Sequence, residues 1–381
     1  MTVLTNARIV LPDQVILGSL ALRGQLIEAV AEGTSQLPGA IDCGGDFLIP
    51  GMVDVNTDNL ERQVQPRHTA RWPSRSAMVV HDAQCAAAGV TTVLDALCVG
   101  DLGFDRGRLQ TYHEGVADLD ALAGTGLLKS QHFLHLRCEL PAADMMTLLE
   151  PAIDNAHLRM VSLMDHSPGV GQYADLDRYR ALRRKEGVPE DFIERRIDEL
   201  QAQRDRWRTP NRRALLARIA GHDVPLASHD DRTEAEIEEN FRDGIRISEF
   251  PVHMDAAGAA RTRGMEIIGG APNIVRGGSH SGNVAAADLI GAGRLDALAS
   301  DYVPASLVEA AFLAASITGI GVTGIGLPAA VALVSDRPAR MCHLFDRGRL
   351  APGLRADLVR VHVHEALPVV RQVWRAGERV A

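Results

Sequence analysis

The segment RMVSLMDH, residues 159–166, is an apolar run that closes on a carboxylate and an imidazole. Too short for a typical helix and ending in polar groups, it has the form of a strand buried on both faces. Seven other runs share that form. Before it come GMVDVNTD (51–58), VTTVLDAL (90–97) and HFLHLRCEL (132–140); after it come VPLASHD (224–230), IRISEFP (245–251), MEIIGGAPN (265–273) and LDALASDYVP (295–304). Between most of them lie stretches of helical period, such as SAMVVHDAQCAAAG from Ser76 and VPASLVEAAFLAASITG from Val303. Eight strands alternating with helices predict an α/β fold, a (β/α)8 barrel over residues 51–343. A doubly wound open sheet is the alternative, but no GxGxxG follows the first run and no GxxxxGK[ST] occurs.

The ends read differently. VLTNARIVL and LGSLALRGQLIEAVA near the start, and ADLVRVHVH and LPVVRQVWRAGERVA near the end, are short strand patterns around turn residues. Residues 1–50 and 344–381 are therefore expected to build one small sandwich-like β-domain. One interval inside the barrel exceeds a simple crossover: about 171–220 is highly charged and reads as two or three helices. It is either a solvated helical excursion or a lid or subunit contact over the barrel mouth.

A length of 381 residues accommodates one large domain and a small one. The net charge of −9 argues against nucleic acid or an anionic membrane as the main partner. An anionic substrate then needs a local basic site or a bound metal. Cys43, Cys85, Cys98, Cys138 and Cys342 are scattered and form no CxxC pair, the usage of a reducing compartment. No signal peptide or membrane-length apolar run is evident, so the expected location is the cytoplasm. Assembly into a homo-oligomer stays open. Only two of the 40 basic residues are lysines, Lys129 and Lys185, so almost no lysine is available to a site.

Catalytic groups of such barrels sit at the C-terminal strand ends. Here those ends carry Asn56 and Asp58, then His135, Arg137 and Glu139 on one strand face, then His166, His229 and Asp301. A lone histidine is more often a satisfied polar residue than a ligand. Imidazoles and carboxylates converging from several strands are different, because leaving them buried without a cation is costly. Such groups suit divalent zinc, manganese or iron, one or two per chain.

These residues resemble the amidohydrolase superfamily: LIPGMVDVNTD is similar to its PGxxDxHxH first strand, and GLRADLVRVHVH to its returning strand. The resemblance is stronger to the α-D-ribose 1-methylphosphonate 5-triphosphate diphosphatases of the carbon–phosphorus lyase route of phosphonate use. It runs through NTDN from Asn56, WPSRSAM from Trp72, HDA from His81 and GVTTVLDA from Gly89. It continues through HLRCELP from His135, VSLMDHSPG from Val161, ASHDD from Ala227, GAPNIVRGGSHSGN from Gly270 and ASDYVPAS from Ala299. The resemblance implies metal ligation by Asp58, His166, His229 and Asp301, with Glu139 in place of a bridging carboxylated lysine. Asn56 stands where the family has its first histidine, so the metal position it shares with Asp58 is expected to bind weakly.

Asp301 is also the expected base that orients water and takes its proton. APNIVRGGSHSGN reads as a phosphate loop once the resemblance is considered: Gly277 and Gly278 let the backbone approach an anion, and Arg276, Ser279 and His280 can donate to it. The implied reaction splits a 5-triphosphate of a small phosphorylated sugar between its α and β phosphates, releasing pyrophosphate. The competing enzymatic reading is hydrolysis of a cyclic amide or N-acyl substrate. A metal-poor binding or regulatory relative is the competing class, motivated by Asn56.

Overall fold

The structure, a computed structural model, describes residues 1–67, 70–103, 106–279, 282–317 and 324–381. Eight parallel strands make the central sheet: β1 (Met52–Thr57), β2 (Val90–Val99), β3 (Gln131–Glu139), β4 (Leu158–Met164), β5 (Leu226–His229), β6 (Ile247–Glu249), β7 (Glu266–Gly270) and β8 (Ala297–Ala299). They neighbour one another in chain order. A parallel bridge between Thr57 and Asp301 brings the last strand against the first. There Asp301 N–H donates to Asn56 O at 3.0 Å and Asp58 N–H to Asp301 O at 2.6 Å. The barrel predicted from the eight runs is therefore the one observed.

Every residue of β1 and β2 is buried, which is why these strands read as unbroken runs rather than as alternating ones. Alternation survives in which layer each side chain joins. Phe133 packs inside the barrel with Val53, Val55, Leu94, Met160, Ile247 and Ile268. Leu134 and Leu136 pack outward with Met78, Cys85 and Leu119 of the helical layer. His135, Arg137 and Glu139 share the parity of Phe133 and face the interior.

Strands from both termini form a second sheet. Phe47–Pro50 lies at its middle, parallel to Thr2–Val10 and antiparallel to Leu358–His364, so the two chain ends meet across one short strand. Leu4, Ile9, Leu20, Leu48, Leu358 and Trp374 fill its own core.

The connection after β4 carries α-helices of its own, Leu176–Lys185 and the 30-residue Glu190–Ile219. The longer helix braces the barrel mouth. Arg196 donates to Leu102 O after β2, Gln203 to Pro141 O at 3.1 Å and Asn211 to Leu140 O and Ala142 O at 2.8 Å after β3, and Arg204 to Asp165 at 2.6 Å after β4.

Between helix Ser74–Ala87 and the outer side of β2 and β3 lies a buried polar chain. His132 donates to Asp95 at 2.8 Å and to Asp82 at 3.1 Å, and His81 donates to the other Asp95 oxygen at 2.7 Å. Asp82 also accepts the N–H groups of Lys129 and Ser130. Burial alone would lower the His132 pKa, but Asp95 and Asp82 raise it to about 9. A raised folded-state value means that the stabilisation is fully present below the unfolded histidine value and fades as pH rises through about 9. His132→Gln should therefore lower the melting temperature more at pH 6 than at pH 10. Melting curves of both proteins across that range check this; an equal loss at both pH values would show His132 uncharged in the fold.

Candidate active site

His166 follows β4 and His229 ends β5. Each is held by a carboxylate through Nδ1: His166 Nδ1–H donates to Glu139 at 2.6 Å, and His229 Nδ1–H to Glu249 at 2.8 Å. Glu139 also accepts the backbone N–H of His166 at 2.8 Å. With Nδ1 so engaged, both Nε2 atoms are left as acceptors, and both turn toward Asp230. Asp230 Oδ2 lies 3.9 Å from His166 Nε2 and 3.8 Å from His229 Nε2. That oxygen is buried and has no hydrogen-bond partner. Two acceptor nitrogens and one orphaned carboxylate oxygen repel unless a cation lies among them, so this donor set fits a divalent metal.

His81, Asp95 and His132 form the other three-ligand grouping among the described residues. It lies outside the barrel, and both Asp95 oxygens are already bound by the two imidazoles, so it reads as a structural network.

Residue Asp230 did not emerge from the sequence as a ligand. Next to His229 on a strand it would face the opposite way. Its φ of 57° breaks that alternation and brings it round beside His229. Phe250 (φ 53°) and Asp301 (φ 56°) take the same left-handed conformation just past β6 and β8. Non-glycine residues held there cluster at sites where geometry outweighs strain. Asp231 anchors the turn, accepting from Ser228 at 2.5 Å, Ser248 at 2.6 Å and Asn240 at 2.8 Å.

Glu249 was the other residue missed, although its place at the end of an apolar run was a usable signal. It is fully buried. Besides His229 it accepts from Asn56 Nδ2 at 2.6 Å and Ser162 Oγ at 3.1 Å. Burial works against its charge, but His135, His229 and Arg137 hold its pKa down at about 2. Asn56 thus turns its amide nitrogen to Glu249, leaving Oδ1 buried without a partner. Asp58 accepts from Arg137 Nη1 at 2.7 Å. Asp301 lies near Asp58, and burial followed by the Asp58 charge raises its pKa to about 7.

Asp58, Glu139, His166, His229, Asp230 and Asp301 open into a cavity of about 550 Å³ with Arg108, Arg137, Arg183 and Arg276 on its walls. Arg276, Gly278 and Ser279 line it, and Arg276 reaches Tyr302 Oη at 3.5 Å. Gly277 and Gly278 have φ of 76° and 154°, which turn the chain there. Their N–H groups donate inside that turn, to Ile274 O at 3.1 Å and Asn273 O at 2.8 Å, and so do not point at an anion. His280 lies outside the described residues.

A (β/α)8 barrel with imidazoles and carboxylates at its strand ends and a flanking sheet from both termini is the architecture of an amidohydrolase-like fold. Solved structures agree on the fold. 5-Methylcytosine deaminase from Klebsiella pneumoniae aligns over 100% of this chain and 97% of its own with a TM-score of 0.65 and 16% identity. N-acetyl-D-glucosamine-6-phosphate deacetylase from Mycobacterium smegmatis aligns over 100% of both chains with a TM-score of 0.62 and 18% identity. No family model matches the chain. The α-D-ribose 1-methylphosphonate 5-triphosphate diphosphatase of Escherichia coli (strain K12) is 42% identical, over 99% of this chain and 100% of that protein. The chain belongs to that diphosphatase family.

Removing the carboxylate that completes the cradle, by Asp230→Ala, should abolish tight metal binding. Glu249→Gln should weaken it by about 10- to 100-fold, as for other partners that orient a ligand histidine. Metal titration by calorimetry checks both; unchanged affinity in Asp230→Ala would place the metal elsewhere.

Proposed function

We propose that this chain hydrolyses α-D-ribose 1-methylphosphonate 5-triphosphate to the 5-phosphate and pyrophosphate, a step in phosphonate degradation, in the cytoplasm. The observation that carries the reading is the cradle of His166, His229 and Asp230 opening into an arginine-walled cavity, which provides for a cation and a polyanion in one place. The substrate follows from the end-to-end likeness to the Escherichia coli enzyme.

His166, His229 and Asp230 would hold the first divalent ion, with zinc favoured by two imidazoles and a carboxylate. Glu139, Asp58, Asp301 and Asn56 Oδ1 would offer oxygens for a second ion, Asp58 by yielding its bond to Arg137 and Glu139 through oxygens that already accept from His166. Such an ion, when bound, supplies Lewis acidity and acidifies water. Asp301, on the same cavity, orients the attacking water and takes its proton. Water adds to the α-phosphorus, the bond to the bridging α–β oxygen breaks, and pyrophosphate leaves. Arg276 and Ser279 hold the departing phosphates, while Gly277 and Gly278 give their loop its turn.

In oxygen-18 water, a single turnover should put the label in the ribose 5-phosphate. Label found only in pyrophosphate would mean attack at the β-phosphorus. Arg276→Ala should lower kcat/KM for the triphosphate by about 10- to 100-fold, the loss of a charge-assisted contact, with metal content unchanged. Wild-type kinetics in that variant would take the loop out of the site.

A further inference from the structure

Resting on the function proposed above, we propose that helix Leu176–Lys185 recognises the methylphosphonate end of the substrate through Arg183 and Leu182. Both residues line the cavity that holds His166, His229, Asp230 and Arg276. Tyr173 stands edge-on to the His166 ring with centroids 6.2 Å apart. The Arg183 guanidinium lies 5.9 Å from the Tyr173 centroid and 5.0 Å from that of Tyr179. Glu186 accepts from Arg183 Nη1 at 2.7 Å. Two aromatic faces and one carboxylate therefore set the direction of a side chain that is only 16% exposed. Arg183 stands one ring beyond the metal cradle.

The two cationic walls arise from different connections. Arg183 belongs to the one after β4, and Arg276 to the one after β7, three strands further round the barrel. A reacting centre between two such walls suits a ligand that is anionic at both ends. The substrate named for the Escherichia coli relative is such a molecule, with a triphosphate at C5 and a methylphosphonate at C1.

Chemistry assigns the ends. An esterified methylphosphonate carries one negative charge and an apolar methyl on the same phosphorus. The helix offers a matching pair, a guanidinium and, next to it, Leu182, a large apolar side chain left 39% exposed. Glu186 already balances much of the Arg183 charge, which suits a monoanion better than a triphosphate. The helix also reaches the opposite loop: a Cβ on Gly282 would come within 2.7 Å of Arg178 Nη1, so Arg178 lies directly against that backbone. Both ends of the substrate are thereby gripped by elements in contact.

The test compares kcat/KM for α-D-ribose 1-methylphosphonate 5-triphosphate with that for ribose 5-triphosphate lacking the phosphonate. In Arg183→Met, which keeps a long side chain against both tyrosines, the ratio should fall by about 10- to 100-fold. Leu182→Asn leaves the guanidinium in place and should lower the ratio severalfold, the scale of one methyl contact. Arg276→Ala should slow both substrates together and leave the ratio unchanged. A ratio unchanged in Arg183→Met and Leu182→Asn, whatever the absolute rates, overturns the assignment. So does a larger loss with ribose 5-triphosphate, which would put the polyphosphate on this helix. Wild-type protein that, with zinc or manganese, releases pyrophosphate from neither substrate would overturn the function itself.

Discussion

Two hydrogen bonds set the chemistry of this barrel: Glu139 holds His166 through Nδ1, and Glu249 holds His229 the same way. An imidazole fixed at one nitrogen presents the other in a known direction and tautomer. Because the bonds come from strands flanking the histidines, both Nε2 atoms are directed at Asp230, just past the end of β5. Glu249 extends the order inward, since Asn56 and Ser162 also donate to it. Removing one member of this set leaves a buried charge or lone pair without a partner, a large penalty in a low-dielectric interior.

The rest of the molecule keeps those strand ends in place. The seam between β1 and β8 joins Asn56, Asp58 and Asp301 through two backbone bonds, so the residues that face the cavity from opposite ends of the sheet are fixed to each other. Helix Glu190–Ile219 ties together the loops after β2, β3 and β4. The charged excursion is therefore a brace over the mouth as well as a wall of the cavity. The left-handed residues Asp230 and Asp301 are tolerated inside this frame, where neighbouring bonds determine their conformation.

Much of this was legible in the chain. The barrel followed from eight runs that end in polar groups, and the second sheet from the alternation at both ends. The histidines were found because they stand at strand ends. The carboxylates that hold and face them were harder to see. Asp230 was hidden by the period-two rule, which a single positive φ overrides. Glu249 ends the apolar run IRISEFP, which marks it as a strand-end carboxylate but does not reveal the three donors that converge on it across the barrel. The glycines of the 276–279 turn suggested amides facing an anion, but whether an N–H points outward depends on local closure, here onto Asn273 and Ile274.

We propose His166, His229 and Asp230 as the primary metal cradle, with Glu139 and Glu249 behind the imidazoles. Anomalous diffraction from crystals grown with zinc or manganese tests it directly. A peak bounded by His166 Nε2, His229 Nε2 and an Asp230 oxygen is expected, with both Nδ1 bonds to Glu139 and Glu249 intact. A peak at His81, Asp95 and His132 instead, or one inside the barrel with Asp230 turned away from it, would contradict this cradle.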